Sequence, residues 1–452
     1  MPAAHPNQIK QWRHRLMTHC LLAFVCTVLA PWAQAAPRFG DTLCLNMKFS
    51  QGQPLSDLSM LKLLGVRWVR DSIPWFDIET APGEFQPFPP DLQTRLDYYR
   101  ANDIGLVMLL AYENKRAYPD PADKPINSAS PENYGRYAAE MARRLKAHGV
   151  RFVIELWNEP HNSLLKNFGG NWNAAPPSPW VDHYLAMVDN ATRQIKLVDP
   201  AIKVLSDDDM WVIHYHFLER GLTRQIDGFG VHPYTGGGVP ELTAVAHDTD
   251  WTRPYMVVDK DRSFSSAMRR LFAFGQEKLG KRPEIWLTEW GWGVGEKSAQ
   301  GPVSEEAVAD YLPRAFILAA AAGAEATCWF SARDSVDGPM GLTDNQGNKR
   351  KAYKAFETLN ASLGKARFVC PLPAGEGAMA TTHRYLFSDE GGPIVASWQA
   401  VPVLTGKGKV EYSRPTAAPL CAGQAAATQG SQPGLPHVTV LPPLPAESGE
   451  HP

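Results

Sequence analysis

The stretch RFVIELWNEPHN, residues 151–162, begins as a hydrophobic strand and ends in polar chemistry. Phe152, Val153, Ile154 and Leu156 form the apolar run, and Trp157, Asn158 and Glu159 stand together before Pro160. A carboxylate at the end of a buried strand is costly unless something pairs with it or uses it. A second stretch ends the same way: Ile285-Trp286-Leu287-Thr288-Glu289, followed by Trp290-Gly291-Trp292. Glu159 and Glu289 therefore need a fold that brings two strand ends together.

The rest of the chain supplies one. Between Pro37 and Gly364, short apolar strands alternate with helical segments. Strands are expected at Leu43–Asn46, Val66–Arg70, Gly105–Leu110, Arg151–Trp157, Lys203–Leu205, Ile226–His232, Pro283–Glu289 and Glu325–Phe330. Helices are expected over stretches such as Tyr134–His148, Trp180–Val198, Ala267–Leu279 and Glu305–Ala322. Eight strands in this rhythm predict an α/β chain folded as a (β/α)8 TIM barrel over residues 37–365. A doubly wound sheet has the same local rhythm, but no GxGxxG turn follows the first strand. In a barrel the C-terminal strand ends converge on one face, so Glu159 and Glu289 are expected to meet.

Beyond residue 365 the pattern changes to short strands and turns, at Ala366–Cys370, His383–Phe387, Ile394–Trp398 and Lys409–Tyr412. Residues 366–414 read as a small β appendage, and the Pro/Ala/Gly-rich residues 415–452 as a disordered tail. Residues 1–36 have the form of a signal peptide, with Lys10, Arg13 and Arg15 before the apolar run Leu21–Leu29 and a small-x-small site at Ala33-Gln34-Ala35. The competing reading is an uncleaved anchor. Cys26 follows the bulky pair Phe24-Val25, which does not make a lipoprotein signal. Cleavage would leave Cys44, Cys328, Cys370 and Cys421 in an oxidising compartment, periplasmic or extracellular, with room for up to two disulfides.

Bulk properties narrow the partners. A net charge of −2 gives no electrostatic case for nucleic acid or an anionic membrane. Fourteen Trp residues suit stacking on sugar rings, although core packing uses Trp equally well. Two carboxylates meeting among aromatic rings is the arrangement that glycosidic-bond cleavage needs, one held protonated and the other ionised.

With Asn158-Glu159-Pro160 and Thr288-Glu289-Trp290 in place, the chain resembles the clan A glycoside hydrolases. The nearest likeness is to family 39, the β-xylosidases and α-L-iduronidases, and to the Psl-type bacterial exopolysaccharide endoglycosidases. The approach Tyr134-Gly135-Arg136-Tyr137 to the fourth strand is part of that likeness, which spans most of residues 40–360. It implies a retaining hydrolase in which Glu159 is the general acid/base and Glu289 the nucleophile. It further implies that Asn158 reads the sugar 2-hydroxyl and that Arg70 keeps the nucleophile ionised. His232 and Tyr234, in Val231-His232-Pro233-Tyr234, would touch substrate or a carboxylate, and Trp329 would be a sugar platform. Trp290 and Trp292 join the expected substrate-binding residues.

Other aromatic residues near the strand ends, Trp75, Tyr112, Trp172 and Phe330, are expected to line a groove, with the Gly-rich insert Phe168–Trp172 beside it. Glu155 reads as a buried pair inside the barrel. Asp207-Asp208-Asp209 reads as a solvated, helix-capping run rather than a metal site. Asp344–Gly347 reads as the turn before the last barrel helix. No cofactor or metal is expected. The expected substrate is a polysaccharide, cut internally, and the protein a monomer with no nucleic-acid or membrane partner. The alternatives are an exo-acting β-xylosidase-like or family 5 cellulase-like enzyme, and a barrel that only binds polysaccharide.

Overall fold

The computed structural model describes residues 37–121, 125–172, 174–208, 212–242, 263–298, 301–373, 382–400 and 408–421. The signal segment, Asp209 and residues 422–452 of the tail lie outside the described residues.

Eight parallel strands close into a barrel: β1 Leu43–Asn46, β2 Trp68–Ser72, β3 Gly105–Leu110, β4 Phe152–Leu156, β5 Val204–Asp208, β6 Gly228–Val231, β7 Glu284–Trp290 and β8 Ala326–Trp329. Each pairs with its sequence neighbours, and β1 pairs with both β2 and β8 to complete the ring. A helix follows each strand: α1 Leu58–Leu63, α2 Pro90–Ala101, α3 Pro131–His148, α4 Pro179–Val198, α5 Ile213–Glu219, α6 Phe264–Leu279, α7 Glu305–Ala322 and α8 Lys351–Leu363. The expected (β/α)8 barrel is therefore present. The strand ends differ in ways that matter, because β2 runs on to Ser72, β5 to Asp208 and β7 to Trp290.

Local chemistry fixes the helix ends. The side chains of Ser130, Ser263 and Ser304 each accept the backbone N–H three residues on, capping α3, α6 and α7. Gly149 ends α3 at φ +80°, a conformation that favours glycine.

The barrel interior is layered. Its lower layer is apolar, with Cys44, Val107, Val153, Leu205, Trp286, Ala326 and Cys328 packed together and Trp68 edge-on to Trp286 at 4.8 Å. One step of two residues up the strands, the layer becomes polar: Arg70, Glu155, Asp207 and Thr288 replace the apolar side chains. Gly230 belongs to the same layer, where an added Cβ would come within 2.4 Å of Glu155 Oε1 and 2.9 Å of Asp207 Oδ1. The strand alternation that builds the core thus also delivers charge to the floor of the open face.

A four-stranded antiparallel sheet follows the barrel: β9 Arg367–Pro371, β10 Thr382–Asp389, β11 Gly392–Gln399 and β12 Glu411–Ser413. It docks through Phe39 against Phe387 and through Trp398 Nε1, which donates to the buried Glu241 at 2.6 Å. Among the described residues two disulfides form, Cys44–Cys328 across β1 and β8 and Cys370–Cys421 from β9 to the segment after β12. The second corrects the expected tail boundary. Residues 415–421 are described and tied back to the appendage.

Candidate active site

Glu159 and Glu289 reach the open face by different local devices. After Leu156, β4 ends in Trp157 and Glu159 with left-handed backbone, at φ 70° and 45°. Such conformations cost of order 1–3 kcal/mol each and persist only where surroundings hold them. Here the Glu159 N–H donates to Asp207 Oδ2 at 2.8 Å, and Pro160 starts the helix Pro160–Phe168 directly after it. Glu289 depends on a bulge. Leu287 pairs with Thr327 but Trp290 pairs with Trp329, so β7 spends one residue more than β8 over this interval. The extra residue breaks the alternation that would turn Glu289 outward. Asn46 Nδ2 donates to the Thr288 carbonyl at 2.8 Å and satisfies the disturbed ladder.

Both carboxylates then share one centre. One oxygen of Glu159, one of Glu289 and a nitrogen of His232 all lie within 4.8 Å of one another. His232 Nδ1 is 2.9 Å from Glu159 Oε1 and 3.8 Å from Glu289 Oε2, while its Nε2 is 3.2 Å from Asp207 Oδ1. Tyr234 donates its hydroxyl to Glu289 Oε2 at 2.9 Å. Arg70 sits beneath, bonding Glu289 Oε1, Glu155 Oε2 at 2.5 Å and Asn158 Oδ1 at 2.9 Å.

The electrostatics separate the two acids of this floor. Burial alone would raise the Glu289 carboxyl, but the positive charges of His232, Arg70 and Lys48, with the Tyr234 hydroxyl, hold it down at about 2. Glu155 goes the other way, to about 7, because complete burial outweighs Arg70 and Asp207 adds repulsion. His232 is pushed well above its ordinary range, burial being overcome by Asp207 and Glu289 and by its bonds to Asp207 and Glu159. A group whose folded pKa is depressed stabilises the fold above its ordinary pKa and loses that contribution as pH falls. For Glu289 the window runs from about 4.5 down to about 2. Unfolding free energy is thus expected to fall between pH 5 and 2 by about 3 kcal/mol more in the parent than in Glu289→Gln. Acid titrations of denaturant midpoints measure this, and equal slopes would refute the depressed carboxyl.

Glu155 with Asp207 and His232, and Glu159 with His232 and Glu289, are spaced closely enough to hold a metal. The Arg70 guanidinium already pairs with both Glu155 and Glu289, and its charge opposes a second cation among them.

A cavity of about 390 Å³ opens above this floor, lined among others by Asn46, Lys48, Arg70, Tyr112, Asn158, Glu159, Tyr234, Glu289 and Phe330. Of the expected residues, Arg70, Asn158, Glu159, Tyr234 and Glu289 line it, and His232 lies just beneath, bonded to Glu159. The expected tryptophan platforms do not. Trp290, Trp292 and Trp329 are buried to 1% exposure or less, in a cluster where Trp292 meets both others at 5.6 and 5.9 Å. The register that turns Glu289 into the cavity turns these rings into the packing behind β7 and β8. Trp75 is likewise buried, stacked on Tyr137 at 4.8 Å, and Trp172 is exposed but lines no part of the cavity. The aromatic rings that line it are Tyr112, Tyr234 and Phe330.

Asp207 and Asp208 also depart from expectation. Both lie within β5 and are fully buried, and Asp207 anchors Glu159 and His232 rather than capping a helix in solvent. Asn46 and Lys48 were not picked out by sequence. Their signal was position alone, at the end of β1, where a barrel strand delivers side chains to the open face.

No family model matches the chain, and no curated protein matches it. Solved structures do. A family 39 glycoside hydrolase from the gut symbiont Bacteroides cellulosilyticus WH2 superposes with a TM-score of 0.63 at 18% identity, covering 80% of this chain and 72% of that one. The chain shares its fold with this family 39 enzyme. The GH39 enzyme from Xanthomonas axonopodis pv. citri gives a TM-score of 0.55 at 16% identity, over 83% and 74% of the two chains. The expected clan A likeness is borne out in the fold, which by itself hosts many chemistries. Function on this barrel has to be argued from the residues of its open face.

Proposed function

We propose that the protein is a retaining glycoside hydrolase, with Glu159 as general acid/base and Glu289 as nucleophile. The observation that carries this reading is the spacing of the two carboxylates, with oxygens within 4.8 Å. Retaining enzymes hold the pair about 5–5.5 Å apart, whereas inverting enzymes leave about 6.5–9.5 Å for a water.

The surrounding groups fit the two roles. Glu289 is kept ionised and its oxygens are aimed by Tyr234 and Arg70, as attack on the anomeric carbon requires. As the Glu289–carbon bond forms, the bond to the leaving oxygen breaks, and that oxygen takes the proton of Glu159. The glycosyl ester removes the charge on Glu289. Water then attacks the anomeric carbon, Glu159 takes its proton, and Glu289 departs as carboxylate. Asp207 and His232 position Glu159 through its backbone and its side chain. Asn158 is held by Arg70 through its carbonyl and bonded to the Tyr112 hydroxyl, which places its NH2 at the cavity to meet the sugar 2-hydroxyl.

For substrate we favour an internal bond of a bacterial exopolysaccharide, cut by an exported protein. Two disulfides suit an oxidising compartment, and no helix among the described residues is long and apolar enough to cross a membrane. The test is stereochemical. Proton NMR during hydrolysis of an accepted substrate should show first a product with the substrate's anomeric configuration, mutarotating later. An inverted first product would overturn the mechanism.

A further inference from the structure

A second cavity, of about 410 Å³, lies next to the first. Lys48 and Gln51 line both, so the two are joined across one wall. Lys48 is fixed in that wall, with Nζ 3.4 Å from Asp337 and 4.1 Å from the centre of the Phe330 ring. The far walls come from Gly52-Gln53-Pro54 after β1 and from Arg333–Val336 and Asn345 after β8.

Its place in the ring gives it a direction. Glu159 follows β4, which is four strands from β8 whichever way the barrel is traversed. The second cavity thus opens from the wall opposite Glu159. Resting on the glycosidase reading, the leaving group departs on the side of its proton donor, so the opposite side holds the retained part of the chain. We propose that this cavity binds a second sugar unit, on the non-reducing side of the scissile bond.

The lining says what kind of unit. Each charged side chain in it already has an opposite partner: Lys48 has Asp337, Arg333 has Asp57 at 2.7 Å, and Asp334 has Arg350 at 2.5 Å. Among the described residues no aromatic ring lines it, and Gln51 and Asn345 supply side-chain amides, whereas the Gln53 amide already bonds Lys48 and Asp57 and the Ser335 hydroxyl bonds Asp337. Such walls suit a neutral pentose or hexose gripped by hydrogen bonds along its edges rather than stacked on a ring. The substrate is then at least two units deep on its non-reducing side, and a single terminal sugar leaves the second cavity empty.

Paired 4-nitrophenyl glycosides test this, one carrying a monosaccharide and the other its disaccharide: xylose and xylobiose, glucose and cellobiose, mannose and mannobiose, in both anomeric forms. For the sugar that is accepted, the disaccharide should be hydrolysed with a kcat/KM roughly 10–100-fold above the monosaccharide, because remote binding energy is spent at the reacting centre. Asn345→Trp, which fills the cavity, should collapse that ratio to within about twofold, a change of contacts worth the same remote energy. Val336→Trp, in the same segment after β8, where Val336 is 88% exposed at the cavity rim, should do the same. A ratio near one in the parent, or an unchanged ratio in both variants, overturns the second subsite. Hydrolysis of none of the glycosides overturns the glycosidase reading beneath it.

Discussion

Glu289→Gln should lower kcat by roughly 10⁴-fold or more on any glycoside the parent hydrolyses, the scale of loss when a covalent nucleophile is removed. The amide is nearly the size of the carboxylate, and its oxygen can still accept from Arg70 while its NH2 donates to the Tyr234 hydroxyl, so the cavity keeps its shape. What it loses is the negative charge that three cationic side chains gather around, Arg70, His232 and Lys48. KM should change little by comparison, since an interaction made only in the transition state leaves kcat and kcat/KM falling together. The chemical signature is sharper than the rate. In Glu289→Gly, added azide can occupy the vacated space and attack the anomeric carbon, giving a glycosyl azide of inverted configuration. A Gln variant with more than a tenth of parental activity would end the assignment of Glu289.

Glu159→Ala should split by leaving group. Glycosides with poor leaving groups need the proton and should lose about 10²–10⁴-fold, the ordinary worth of general acid catalysis. A 2,4-dinitrophenyl glycoside needs no proton, so its first step should survive and the ester on Glu289 should accumulate as a burst of phenol. Azide, needing no general base, should then release that ester as a glycosyl azide of retained configuration. Equal losses on good and poor leaving groups, with no azide effect, would mean that Glu159 is not the acid/base. The two variants thus predict azide products of opposite configuration from one site, which a merely structural role for either residue would not produce.

The barrel was legible because its signal is repetitive. Eight apolar strands alternating with capped helices leave few alternatives, and Glu305–Ala322 appears with the bounds its periodicity predicts. Glu159 and Glu289 were legible because a carboxylate ending an apolar strand is expensive, and two of them explain one another. What sequence did not carry was phase. One extra residue on β7 decides that Glu289 faces the cavity and that Trp290 does not, and a bulge has no composition of its own. Asp207 was misread for a related reason. Three adjacent acids look solvated on paper, but the strand runs through the first two and buries Asp207 against His232 and Glu159 and Asp208 beside His161. Lys48 and the second cavity depend on two loops from opposite ends of the chain, a proximity that only the closed ring creates.

That closure has a further side. Cys44 and Cys328 are 284 residues apart in sequence and neighbours across the seam of β1 and β8. The bond makes the wall of the barrel a covalent hoop. A single peptide cleavage anywhere between those two cysteines opens the chain without releasing either piece. Glu159 and Glu289 both lie on the tethered arc. A protein working among extracellular proteases would keep its two carboxylates on one molecule after a cut that would sever an unbonded barrel into separable halves.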